Sequence, residues 1–408
     1  MPDISPVYRP RKPQDSQYYR CVEDHFEEFE QVYDERFTTK YGFFRAYVKQ
    51  VIYRYLDCGI LHNGFARVKC KDCGHEYLLA FSCKRRHFCP SCHQKRVVEF
   101  GEWLCEEVLK AFPHRHFTFS IPKMLRRYFL YDRRILSDLS RSVWACLEEF
   151  FQTALPGTGV EPGAVVAAQT FGDFLNFNPH CHILCTDGGF FEGGAFRVAQ
   201  ALETETLEKL FQHKVLKMLL RKGKITEEVV KLIMSWRHSG FNVHCGPRIQ
   251  PGDEEAMENL ARSVVRASFS QERMTYIPEE SKVVYRSKDW KSEKTFDALE
   301  WLAAMCSHVP NKGEQMVRYN GYYSNVIDPL TSPKCHGRMR VISVIEDQDV
   351  IKKILNHLGL WQVEPRPPPK ETGAPKPPEY HIDYSTSQLP VSDTWLYVDP
   401  KSPEAFPS

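Results

Sequence analysis

Long apolar runs are what this sequence most plainly lacks. Nothing in it approaches the roughly 18 residues that a membrane-spanning helix needs, which speaks against a helical membrane protein. Net charge is also scarce: 54 Lys and Arg stand against 52 Asp and Glu, a balance of +2. The molecule as a whole is no polycation, so a nucleic-acid surface has to come from local clusters. "KRRH" (84–87), "RR" (126–127), "RR" (133–134) and "RKGK" (221–224) are the candidates. The opening stretch "MPDISPVYRPRKPQDSQYYR" has no apolar core of a secretory signal. The expectation is a cytoplasmic protein with no membrane partner. In a reducing compartment its 14 cysteines are metal ligands or buried thiols rather than disulfides.

What is present falls into blocks. Residues 1–22 are polar and Pro-rich and read as a flexible arm. From 23 to 56, Phe26, Phe29, Val32, Tyr33, Phe37, Phe44, Tyr47, Val51 and Tyr55 recur at helical spacings. A cysteine-rich block (58–92) follows, then a short helix at about 94–111. In "HRHFTFSIP" (114–122), Phe117, Phe119 and Ile121 alternate with polar residues until Pro122 ends the run, which predicts a strand. Residues 124–154 read as helical. Further strands are expected at 163–172, 176–189, 241–249 and 282–287, and helices around 207–219, 229–236, 253–267 and 296–309, with Asp253 available as a cap. The segment 363–408 holds 11 of the 27 prolines and reads as a tail. Strands and helices mingle without a strict βαβ rhythm, so the fold class is α+β.

The cysteine block "CKDCGHEYLLAFSCKRRHFCPSC" (70–92) contains Cys70-x-x-Cys73, 15 intervening residues, and Cys89-x-x-Cys92. Each C-x-x-C knuckle aims two thiolates at one tetrahedral Zn²⁺, and the spacer is long enough for a hairpin that returns one knuckle to the other. Cys70, Cys73, Cys89 and Cys92 are the expected ligands of a structural zinc. Cys58, Cys83, His75 and His87 lie near enough to substitute. A cluster of buried free cysteines is the alternative.

"NFNPHCHILCTDGG" (176–189) puts two histidines one residue apart in an otherwise apolar strand. Residues i and i+2 of a strand share a face, so His180 and His182 project together while Cys181 and Ile183 turn away. Two imidazoles on one face suit a divalent ion. A pair of hydrogen-bonded histidines at a strand end is the plainer alternative.

These segments together resemble the HUH transposases, and more closely the rolling-circle insertion-sequence transposases with an N-terminal zinc-binding domain. The resemblance is carried by "GFARVKCKDCGHEYLLAFSCKRRHFCPSC", "FTFSIPKMLR", "NPHCHILCTDGG", "LARSVVRASFSQERMTY", "HVPNKGEQMVRYNGYYSN" and "DPLTSPKCHGRMRVI". It implies a helical and zinc-binding domain at 23–112 and an HUH endonuclease domain at 113–327, whose central antiparallel sheet is flanked by helices. It also implies DNA as partner, single-stranded or hairpin by preference. The two histidines and a third polar residue would hold Mg²⁺ or Mn²⁺, with Gln169 or His308 as the third ligand. A tyrosine would attack the scissile phosphate to give a 5′-phosphotyrosine.

The chain departs from that pattern twice. The helix that carries the family's tyrosines reads "ENLARSVVRASF", with Asn259 and Ser263 at their positions, so Tyr276 and Tyr285 become the fallback nucleophiles among the downstream tyrosines. The expected second knuckle, in 328–362, reads Ser332-x-x-Cys335 and has lost a thiolate. Both point to a degenerate copy. Two other readings stay open: a non-catalytic, zinc-dependent DNA-binding protein, and a plasmid replication initiator or relaxase.

Overall fold

The computed structural model describes residues 12–327 apart from 86, 110–111, 156, 158, 192–194 and 200–201, together with 353–354 and 356–357. The expected Ser332/Cys335 knuckle and the tail 363–408 lie outside the described residues. The architecture is mixed helix and sheet, built on two hydrophobic cores.

The first core begins earlier in the chain than expected. The helix Gln17–Arg36 starts inside the supposed arm, where the Ser16 hydroxyl accepts from the Tyr19 amide at 3.1 Å and caps it. Tyr18, Tyr19, Cys21 and Val22 are buried, so this half of the arm is core. Tyr18, Phe26, Phe29 and Tyr33 form one helical face, which packs with the helix Ala46–Leu56.

That face is covered by residues from far along the chain. The helix Ala298–His308 is buried at nearly every position, Trp301 completely. A helix apolar on all sides needs cover on all sides. A small antiparallel sheet (Met274–Ile277, Lys282–Arg286, Glu293–Asp297) supplies one side, with the Phe269, Phe296 and Tyr285 rings 5.1–5.7 Å from Trp301. The N-terminal helices supply the other. Arg45 donates to the Cys306 and Val309 carbonyls at 2.6 Å, satisfying the end of that helix from across the core. Residues 269–309 therefore share a core with 18–92. A boundary at 112/113 does not describe this packing.

The second core is built under a five-stranded antiparallel sheet. Its order is Val317–Gly321, Gly163–Phe171, Phe177–Thr186, His114–Ser120, Asn242–Ile249. Four of these strands are where the sequence reading placed them. The edge strand Val317–Gly321 was not expected: "VRYNG" has only two apolar residues, Val317 and Tyr319, and is half-buried throughout. One face of the sheet carries Phe117, Phe119, Val166, Cys181, Ile183 and Val243 into a core closed by the helices Ile135–Ala154 and Thr204–Arg221. The stretch 124–154 is broken at 132–134, where Asp132 pairs with Arg134. Among the described residues no helix is long and apolar enough to cross a membrane.

Replacing Trp301 by Ala removes the centre of the shared core and should cost about 3–5 kcal/mol of unfolding free energy, read by urea titration. A cost within about 0.5 kcal/mol, as for a surface site, would contradict the packing described.

Candidate metal centres and their surroundings

Four thiols converge, but not the four that the knuckle spacing suggests. Cys58, Cys83, Cys89 and Cys92 place their sulfurs within 4.8 Å of one another. The Sγ separations of 3.9 Å (58–89), 3.8 Å (58–92) and 3.6 Å (83–92) match the tetrahedral edge of about 3.8 Å that Zn–S bonds of about 2.3 Å give. Cys89 caps the helix Pro90–Trp103, and Cys92 sits in its first turn, where the helix dipole favours a thiolate. The amides of Cys83 and Arg85 donate to Cys58 Sγ and Cys83 Sγ. Neighbouring thiols, Cys58 first, hold the Cys92 thiol far below its ordinary value.

Cys70 and Cys73 are exposed and stand outside this group. The reason is the hairpin. Strands Phe65–Lys69 and Glu76–Ala80 pair from Phe65↔Ala80 to Lys69↔Glu76, so residues 70–75 form its tip. Cys58 and Cys83 flank its open end, where Gly59 donates to Phe81. At about 3.4 Å per residue, five pairs separate tip from base by roughly 15 Å. The expected hairpin exists, but it turns on the first knuckle instead of joining the two.

The second centre lies on the other face of the sheet. His180 and His182 do share it, and the antiparallel register adds His116 and His244 from neighbouring strands: Thr118 stands opposite both His182 and His244. His180 Nδ1 lies 2.7 Å from the Asn178 carbonyl, His180 Nε2 3.1 Å from His182 Nε2, and His182 Nδ1 2.9 Å from His116 Nε2. One proton pattern satisfies this row. His180 donates from Nδ1 to the carbonyl, His182 donates from Nε2 to His180, and His116 donates from Nε2 to His182. All three rings are then neutral. Burial agrees, pushing His116 and His180 down to about 4 and His182 well below its usual value. Sequence reasoning missed His116 and His244. The signal was there: in "HRHFTFS", His116 falls on the face opposite Phe117 and Phe119.

The candidate third ligands are otherwise engaged. Gln169 stands opposite His180, but its amide donates to the Ser263 and Val264 carbonyls at 3.1 and 2.9 Å. It clamps the last turn of the helix Glu254–Val264, while Arg266 donates to its oxygen at 3.4 Å. His308 uses both nitrogens, on the Leu175 carbonyl (3.0 Å) and the Thr170 hydroxyl (3.2 Å), and its ring stacks on Phe177. It is a core histidine.

Ser263 sits on the helix beside the histidine strand, 3% exposed, with its hydroxyl donating to the Leu260 carbonyl at 2.8 Å. Tyr276 and Tyr285 belong to the first core. Tyr276 bonds Asp24 and His25, and Tyr285 accepts from the Ser270 amide and packs on Trp301. The structure does not bring either phenol to the histidines.

Known proteins match this layout. A family profile described as "Transposase zinc-binding domain" matches residues 23–121, and one described as "Putative transposase" matches residues 163–328. The transposase for insertion sequence element IS801 of Pseudomonas savastanoi pv. phaseolicola is 23% identical over 315 residues, covering 72% of this chain and 74% of that protein. A protein named "Putative transposase y4qJ", of Sinorhizobium fredii, is 23% identical over 282 residues, covering 63% of this chain and 69% of its own length. No solved structure matches.

Elemental analysis should find one zinc per chain, lost in Cys58→Ser and Cys83→Ser and kept in Cys70→Ser and Cys73→Ser. The reverse pattern would restore the knuckle-to-knuckle pairing.

A pH dependence follows from His308. Burial pushes its imidazole down to about 3, against about 6.5 in an unfolded chain. Between these values the unfolded state binds a proton that the folded state does not, so the stability is complete above about pH 6.5 and falls as pH drops towards 3. The decline of unfolding free energy between pH 7 and 4 should be shallower in His308→Gln than in wild type. Equal slopes would rule the assignment out.

Proposed function

This chain belongs to the insertion-sequence transposases that carry an N-terminal zinc-binding domain, and from that premise we propose that its histidine face handles single-stranded DNA at element ends by metal-assisted phosphoryl chemistry. The observation that carries the proposal is the 3.1 Å between His180 Nε2 and His182 Nε2. Two ligands about 2.1 Å from one ion stand about 3.0 Å apart at an octahedral angle and about 3.4 Å at a tetrahedral one. The pair is spaced as a chelate. Each ring's other nitrogen meets an outer partner, the Asn178 carbonyl or His116, as in metal sites where such partners fix the ligand tautomer. Mg²⁺ or Mn²⁺ held there supplies Lewis-acid polarisation of the scissile phosphate.

The attacking group is what this copy lacks. A phenol at position 263 would form the oxygen–phosphorus bond, and the departing 3′ oxygen would leave with the proton as a free hydroxyl. The serine present is shorter, far less acidic than a phenol (about 10), and already bonded inside its own helix. The copy is therefore competent to hold strand and ion, and incompetent to form the covalent intermediate. This buried, engaged hydroxyl favours a second reading for the present function: a zinc-dependent DNA-binding protein that occupies element ends without cutting them.

The test uses single-stranded oligonucleotides with element-end sequences and Mn²⁺. Wild type should give no covalent protein–DNA band on a denaturing gel, and Ser263→Tyr should give one that disappears when His180 and His182 are both changed to Ala. Calorimetry should show a Mn²⁺ site in wild type that the same double change removes. A wild-type band mapped to Tyr276, Tyr285 or Ser263, or Mn²⁺ binding that survives the double change, would overturn the assignment.

A further inference from the structure

Between the zinc-binding segment and the histidine-bearing face of the sheet lies a cleft of about 530 Å³. Its walls are strongly one-signed. Lys84, Arg85, Arg96 and Arg266 line it, and the one carboxylate among its described lining residues, Glu314, is paired with Arg133 at 3.1 Å. Arg85 Nε is buried and has no hydrogen-bond partner. Aromatic rings alternate with these cations: Arg266 lies 5.5 Å over the Phe171 ring, and Tyr319 projects into the cleft with Trp103 edge-on at 5.8 Å. The cleft opens beside the metal centre. Gln169 lines it while standing opposite His180. Arg266 is close enough to contribute to the lowered values of His180 and His182, behind the larger effect of burial.

We propose that this cleft holds the unpaired DNA strand next to the scissile phosphate, and that the zinc site builds one of its walls. Cations in a lining whose one described carboxylate is already paired suit a phosphate backbone, and the Tyr319 ring beside them suits a stacked base of any sequence. The volume admits a nucleotide or two. A double helix, whose major groove alone is about 12 Å wide, does not enter. The dependence on zinc is local. Lys84 and Arg85 follow directly on Cys83, Lys84 has a left-handed backbone (φ 52°), and the Arg85 amide donates to Cys83 Sγ at 3.4 Å. The turn that presents both cations is the turn that the metal closes. The proposal rests on the single-strand reading above, but it assigns that strand to residues remote in sequence from the histidines.

The experiment measures binding of a labelled oligothymidylate by fluorescence anisotropy across a salt series. Joint replacement of Lys84 and Arg85 by Ala should weaken binding at least tenfold and reduce the slope of log affinity against log salt by about 1.4, at about 0.7 for each phosphate no longer neutralised. Arg96→Gln, on a different element, should weaken it by about threefold or more. Tyr319→Leu should weaken binding where Tyr319→Phe does not. Chelation of zinc should abolish strand binding, and the matching duplex should bind more weakly than the single strand. Wild-type affinity in both basic variants, or equal binding of duplex, would overturn the proposal. Mn²⁺ calorimetry on the same variants keeps the two readings apart. A retained Mn²⁺ site with unchanged strand affinity rejects only the cleft, and an absent Mn²⁺ site in wild type with the expected strand losses rejects only the metal chemistry.

Discussion

The two-residue alternation of a single antiparallel sheet is the constraint on which the histidine-bearing half depends. In Phe177–Thr186 it sends Cys181, Ile183 and Cys185 into an apolar core and His180 and His182 to the opposite face. In His114–Ser120 it does the same with Phe117 and Phe119 against His116 and Thr118. The apolar side makes the register non-negotiable, since a one-residue slip would turn the imidazoles into the apolar core and the aromatics onto the opposite face. The geometry of the histidine cluster is thus set by hydrophobic burial on the face it does not occupy.

Neutrality follows from the burial of the imidazoles themselves. Three imidazoles in a row can be hydrogen-bonded with two ring-to-ring contacts only if one proton sits between each pair, so the row has a direction, fixed at the Asn178 carbonyl. Metal ligation requires His182 Nε2 without its proton. That proton then belongs on Nδ1, facing His116 Nε2, which becomes the acceptor. No ring has to rotate for this exchange. His116 therefore acts on the pair through His182, orienting it in either tautomer.

How much of this was legible depends on which interaction decides each feature. Strands 114–122 and 241–249 were readable because a one-sided core imposes alternation on the sequence itself, and 163–172 as a continuous apolar run buried on both faces. Val317–Gly321 was not, because five half-buried residues with two apolar side chains are too short a pattern to stand out from a loop. The zinc site was readable in kind and misread in its members. Spacing says that two C-x-x-C pairs can meet, but the Phe65–Ala80 hairpin decides which sulfurs are neighbours, and it carries Cys70 and Cys73 to its tip. The first core was hidden for another reason. Nothing local in "FDALEWLAAMCSHV" says that its cover comes from residues 18–55. Gln169, expected as the third ligand, stands opposite His180, but its amide goes to a helix end, which only the fold reveals.

That clamp also shows that the helix is held without help from the side chain at position 263. The helix Glu254–Val264 is held at its start by Asp253, which accepts from the Ala256 amide at 3.1 Å, and at its end by Gln169. Between them Arg262 pairs with Glu258 and packs its stem against Gly101, where any side chain would meet it at 3.1 Å. None of these contacts uses the side chain at position 263. The serine there is buried and hydrogen-bonded, so it leaves no orphaned polar group to destabilise the fold. On the proposed reading a phenol at that position would contribute chemistry, whereas the helix takes its place from cap, clamp and ion pair. On the proposed reading, a serine in place of a tyrosine there would remove a reaction step without removing the structure that would present it.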